Sequence, residues 1–157
     1  MGTVKLSQET SRTEISGADA ALQSLANATF VILGTVAHIT NDPLACFLEL
    51  LTKPGTVSGN KQLKVFCQGS IDGSNFESGP TSGTSTTDEA NLRPLGILPL
   101  GSSATAQRRL FGFAGAYPDG VLPHSSRIVV QNDSGAALSA TLGDHGAWYS
   151  EVWGVTT

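Results

Sequence analysis

From residue 29 onward the chain repeatedly starts a short run of β-branched, aliphatic and aromatic residues and then stops it with Gly, Pro, Asn or Asp. The runs cover residues 29–33, 35–39, 45–52, 61–70, 95–98, 105–112, 127–131, 136–142 and 147–155. Among the breaks are Gly34, Asn41-Asp42-Pro43, Asp72-Gly73-Ser74-Asn75, Asp119-Gly120 and Asn132-Asp133-Ser134-Gly135. Segments this short suit strands better than packed helices, and strands at this spacing close into an antiparallel β-sandwich or jelly roll. Composition agrees: 18 Gly and 33 Ser plus Thr stand beside only 14% charged residues in 157, a balance rich in turns and poor in helix surface. One domain accommodates the whole length.

The division expected is an extended N-terminal arm over residues 1–16 and a single β-sandwich domain over 17–157. The arm offers only Val4, Leu6 and Ile15 for burial, so a partner is expected to order it. Ala20, Ala21, Leu22 and Leu25 allow one or two helical turns within 18–28, with Asp19 near the start. Leu63, Val65 and Cys67 alternate with Gln62, Lys64 and Gln68, the period of a half-buried strand. Residues 45–52 and 61–70 read as a hairpin across the loop 53–60. Pairing Thr52 with Lys61 then sets Cys46 opposite Cys67, close enough in principle for a bridge. Residues 77–91 carry little apolar surface and read as a long exposed loop. The final strand runs almost to residue 157 and must pair inside a sheet, anchored by Trp148 and Trp153.

The charge pattern excludes more than it suggests. A formal net charge of −4, from 9 Lys plus Arg and 13 Asp plus Glu spread singly, supplies no basic stripe for phosphates, so no nucleic-acid partner is expected. No apolar stretch reaches the length of a membrane span, and residues 1–10 lack a signal-peptide core, so no membrane partner and synthesis in a cytoplasm are expected. Leu6 stands where a myristoylation pattern wants Ser or Thr. In that reducing setting Cys46 and Cys67 read as two buried thiols, with a disulfide as the alternative. Two cysteines without a CxxC spacing give no zinc pattern, and no metal or other cofactor is expected.

Catalytic motifs are equally thin. His38, His124 and His145 are isolated, and Asp144-His145 are neighbours that face opposite ways in an extended chain, which argues for a turn over a dyad. There is no Gly-x-Ser-x-Gly elbow, calcium loop or phosphate loop, so no catalytic residues are assigned and the chain is read as a non-enzyme. Arg108-Arg109, the one paired positive charge, leads into Leu110, Phe111 and Phe113. One arginine must point outward, where it could pair with acidic groups of a partner.

The order Ser70-Ile-Asp-Gly-Ser-Asn-Phe76, then Leu92-Arg-Pro-Leu-Gly-Ile-Leu98, then Ser126-Arg-Ile-Val-Val-Gln-Asn-Asp-Ser-Gly-Ala-Ala-Leu138 resembles small virion proteins of tailed bacteriophages, across about residues 20 to 155. The loop 77–91 is longer and richer in Ser and Thr than that pattern. The resemblance implies a capsid decoration or cement protein: a structural protein that binds the major capsid protein as a homo-dimer or homo-trimer, stabilises capsomer contacts, and assembles onto the virion surface in the host cytoplasm. On that reading the capsid or neighbour contact falls on Lys5, Leu6, Arg12 and Ile15, and the oligomer contact on Arg108, Phe111, Phe113 and Tyr117. The rival expectation is a carbohydrate-binding or adaptor module of the phage tail, using exposed coplanar rings among Tyr117, Trp148, Tyr149 and Trp153.

Overall fold

The computed structural model describes residues 4–8, 12–38, 43–56, 61–101, 105–117 and 119–156. Its strands are β1 (Val4–Gln8), β2 (Thr13–Glu14), β3 (Phe30–Ala37), β4 (Ala45–Thr52), β5 (Gln62–Ser70), β6 (Ser82–Gly83), β7 (Arg93–Pro99), β8 (Gln107–Gly112), β9 (Ser125–Asp133) and β10 (Gly146–Thr156), with one short helix, α1 (Ala18–Leu22). They form two antiparallel sheets. The first runs β1-β10-β4-β8, with β2 also on β10, and the second runs β6-β3-β9-β5-β7. With the two-residue strands β2 and β6 set aside, the orders β1-β10-β4-β8 and β3-β9-β5-β7 are those of a jelly roll.

Period-2 patterning puts the core between the sheets. In β4 the buried positions Cys46, Leu48, Leu50 and Thr52 alternate with half-buried Ala45, Phe47, Glu49 and Leu51. Across the gap, Leu63, Val65 and Cys67 of β5 and Ile128 and Val130 of β9 join the same cluster, with Phe111 and Phe113 closing one side. Each such fully buried side chain contributes about 1.5–3 kcal/mol over an exposed one. A smaller cluster lies on the outer face of the second sheet, where Leu92 covers Phe30, Phe66 and Val129. The 77–91 segment that reaches Leu92 is largely exposed, yet it carries β6 and a 3-10 turn, Glu89–Asn91.

The expected hairpin does not form. β4 lies in the first sheet between β10 and β8, and β5 lies in the second between β9 and β7, because both strands carry an apolar face that must look inward. The link between them, of which 57–60 fall outside the described residues, crosses from one sheet to the other. Cys46 and Cys67 are therefore not cross-strand partners; both are free and buried. The two runs at 29–33 and 35–39 become one strand, β3, whose register with β9 shifts between Ile32 and Gly34. Residues 39–42, with the break expected at 41–42, fall outside the described residues. The run 136–142 is not a strand, and Leu138 makes only a single bridge to Pro54. Helix α1 stops at Leu22, after which Ser24 and Ala28 take left-handed conformations at φ 54 and 62.

The N-terminal segment is also not separate from the sandwich. β1 pairs with β10 from Val4↔Thr156 to Gln8↔Val152, β2 pairs with Tyr149 and Trp148, and Ile15 is core at 5% exposure. Ile15 packs against the Gly34 backbone so closely that a Cβ there would run into its Cγ2. Gly34→Ala should therefore lower unfolding free energy by roughly 1–3 kcal/mol through overpacking, measured by urea denaturation; a midpoint equal to wild type would show that the contact yields freely.

Candidate functional site

The densest chemistry lies inside one end of the sandwich. Register pairs Glu151 of β10 directly with Cys46 of β4, both on the inward face. From the second sheet, Ser126 of β9 faces inward opposite Val36 and Gly69. His38 follows the last residue of β3 and donates its backbone N–H to His124 O at 2.9 Å, which turns its ring into the gap. There Nε2 lies 3.0 Å from Ser126 Oγ and Nδ1 lies 3.4 Å from Glu151 Oε1, with Phe113 edge-on at 5.5 Å. Tyr117 extends the chain of contacts, its hydroxyl 3.2 Å from Ser126 Oγ and accepting the Cys67 thiol at 3.6 Å.

Burial sets the protonation of this cluster. Desolvation lowers the His38 pKa to about 4, so its imidazole is neutral at pH 7. Burial pushes the Cys67 thiol up to about 12 and the Tyr117 hydroxyl upward. Cys46 is also pushed up, first by burial and then by the nearby Glu151 carboxylate. Ser126, His38 and Glu151 follow the hydroxyl–imidazole–carboxylate order of a hydrolytic relay, but Ser126 has 0% exposure. An enclosed hydroxyl meets no substrate in this conformation. What does reach His38 is a cavity of about 380 Å³ between it, Leu44 and the segment Val121 to His124.

Next to it lies a second cavity of about 490 Å³, bordered by Gly69, Glu77, Arg93, Tyr117 and Pro123. Arg93 stacks over Tyr117 at 5.1 Å and grips Glu77 through Nε at 2.8 Å and 2.9 Å and Nη2 at 2.6 Å. This grip, with the Gly69 N–H at 2.7 Å, holds the Glu77 carboxyl below its ordinary range. The interaction joins the start of the 77–91 segment to β7 and β5.

The expected contact residues divide between surface and interior. Phe111, Phe113 and Tyr117 are 3%, 0% and 8% exposed, so their side chains belong to the core and are not the ones offered to a second copy; the inward parity of β8 and the 3-10 turn after it put them there. Ile15 is core as well, seated against Gly34 of β3. Arg12 and Arg108 are exposed, and the structure brings them together. Both guanidinium groups pair with Glu49, and they lie 4.0 Å and 5.8 Å from the Trp148 ring centroid. Lys5 and Leu6 lie in β1 opposite Val155 and Gly154, and the roles expected of their side chains fall outside the described residues.

Asp144-His145 is a structural clamp. His145 is buried, its Nε2 donates to Ser139 O at 2.9 Å, and its Nδ1 accepts from the Thr52 hydroxyl at 2.8 Å. Asp144 turns to Lys53 at 3.1 Å and to Ser139. The turn at Asp72 also forms as expected, with the carboxylate accepting the N–H groups of Ser74 and Asn75 at 2.8 Å and 2.7 Å.

Two measurements check these assignments. Neither thiol of native protein should react with a disulfide reagent within minutes, and two equivalents should react on unfolding; fast native labelling would contradict the burial. The Glu77 carboxyl is depressed in the folded state, so its contribution is complete above an ordinary carboxylate pKa of about 4.3 and is lost as pH falls through the folded value. Glu77→Gln should cost on the order of 1 kcal/mol at pH 7 for this half-exposed pair and flatten the loss of stability below about pH 4, as read by urea titrations at pH 7 and pH 3.

Compared with models of protein families, with curated proteins and with solved structures, the chain matches none.

Proposed function

We propose that this chain is a structural protein of a tailed-bacteriophage virion, of the head decoration or cement type, which docks on the capsid shell as a homo-oligomer and reinforces contacts between capsomers. The observation that carries this reading is the outer face of the first sheet, where the Arg12 and Arg108 guanidinium groups share Glu49 and lie 4.0 Å and 5.8 Å from the Trp148 ring centroid. Arginine and tryptophan are the residues that most often anchor protein interfaces. An ion pair this exposed adds little to folding, but stacking fixes both guanidinium groups before a partner arrives, which reduces the ordering cost of binding. The jelly-roll order is compatible with the reading and does not establish it, since that fold serves shell and lectin domains alike.

The oligomer contact is assigned to β8, an edge strand with Leu110 60% exposed. Antiparallel pairing of two copies centred on Leu110 sets Arg109 opposite Phe111 and Arg108 opposite Gly112, so the arginines of the two copies do not face one another. The resulting dimer presents two stacked patches to a repeating shell and gains avidity from modest contacts. The carbohydrate-binding alternative has less to use: Tyr117 is buried and the Trp148 ring carries Arg12.

Mass photometry of the protein alone, and after mixing with undecorated phage heads, tests the reading. A dimer should add to the heads in a saturable, symmetric copy number. Leu110→Asp should give monomers, and Arg12→Glu with Trp148→Ala should reduce head binding at least tenfold while circular dichroism stays unchanged. A wild-type monomer that ignores the heads would remove the proposal.

A further inference from the structure

Three interior groups remain whose chemistry the docking function does not use. His38, Cys46 and Glu151 each offer one ligand atom, a ring nitrogen, a sulfur and a carboxylate oxygen, and these atoms lie within 4.8 Å of one another with all three residues buried. We propose that they form a binding site for one divalent transition-metal ion of the zinc class, which joins the two sheets from inside.

The donor set is one that zinc takes, and three protein ligands leave a fourth tetrahedral position for water. Two light donors at about 2.0 Å from a tetrahedral ion sit roughly 3.3 Å apart. The Nδ1 to Oε1 separation of 3.4 Å is long for a charge-assisted hydrogen bond and suits two ligands of one ion. The other ring nitrogen is already oriented: Nε2 faces Ser126 Oγ at 3.0 Å, and Ser126 is in turn held by Tyr117. With Nδ1 on the ion, Nε2–H donates to Ser126, the outer partner that fixes tautomer and ring plane in histidine metal sites.

Charge favours the same occupant. Binding releases the Cys46 proton to solvent, and the dication with one thiolate, one carboxylate and one neutral imidazole makes a site of zero net charge, which limits the cost of enclosing it. The 380 Å³ cavity lined by Leu44 and Val121 to His124 reaches His38, one of the three ligands. Cys46 and Glu151 belong to the first sheet and His38 to the end of β3 in the second, so the ion ties the layers at one end of the sandwich.

Titration of chelator-treated full-length protein with cobalt(II) chloride tests the site. One equivalent should bind, with visible d–d bands of tetrahedral strength and a near-ultraviolet thiolate-to-cobalt band, and zinc chloride should displace it and raise the melting temperature. Cys46→Ser should lose the thiolate band and bind at least tenfold more weakly, whereas Cys67→Ser, which alters the other buried thiol, should match wild type. If Cys46→Ser does not fold, Glu151→Gln serves in its place: it should keep the thiolate band and bind cobalt at least tenfold more weakly, and wild-type affinity in that variant would overturn the assignment. Absence of a stoichiometric tetrahedral cobalt spectrum in wild type, or a thiolate band that survives Cys46→Ser or disappears with Cys67→Ser, would overturn the assignment.

Discussion

The structure depends on a constraint of connectivity: along the main strands the chain changes sheet at nearly every step. β3 is in the second sheet, β4 in the first, β5 and β7 in the second, β8 in the first, β9 in the second and β10 in the first. Neither sheet is a contiguous piece of sequence, and each has an apolar face that the other covers. The core formed by Leu48, Leu50, Leu63, Val65, Ile128 and Val130 therefore exists only when both layers are in place. Loop closure must precede much of the packing that offsets it, so slow and cooperative folding is the expectation.

The same constraint explains what could be read in advance. Strand positions are local, and the apolar run 45–52 and the alternation in 61–70 announced β4 and β5. Strand partners are not local, and a nearby mate was the wrong choice for β4 because a hairpin would have set its apolar face beside that of β5 in one layer instead of opposite it. Residues 136–142 have the apolar content of a strand, but Leu138 is a plug with a single bridge. Ile15 looked like a lone apolar residue in a polar arm, and its value to the fold lies in a contact with Gly34 that spacing does not reveal.

The interior cluster was hidden for a related reason. His38 and Glu151 are 113 residues apart, and no motif joins them. A weaker signal was present in parity: Glu151 shares its strand face with Ala147 and Tyr149, and Ser126 shares its face with Ile128 and Val130. Polar residues on the face that periodicity assigns to the core are the ones to suspect. The surface patch of Arg12, Glu49, Arg108 and Trp148 draws on β4, β8, β10 and the residue before β2, so it too could be seen only after the sheet was assembled. The titratable cluster of His38, Cys46 and Glu151 is thus enclosed between the layers, while the arginine–tryptophan patch lies outside them.

One feature of the first sheet bears on mechanics. β1 lies antiparallel to β10, with Val4 beside Thr156 and Gln8 beside Val152. Tension applied through the backbone at these two ends loads the ladder from one side and opens it one bond at a time, as a zipper does, instead of shearing all the bonds together. The jelly roll is consequently compliant at this seam and stiff within its layers. Anchored by both ends, the molecule would peel its outermost strand first and leave β10 held by β4 and β2.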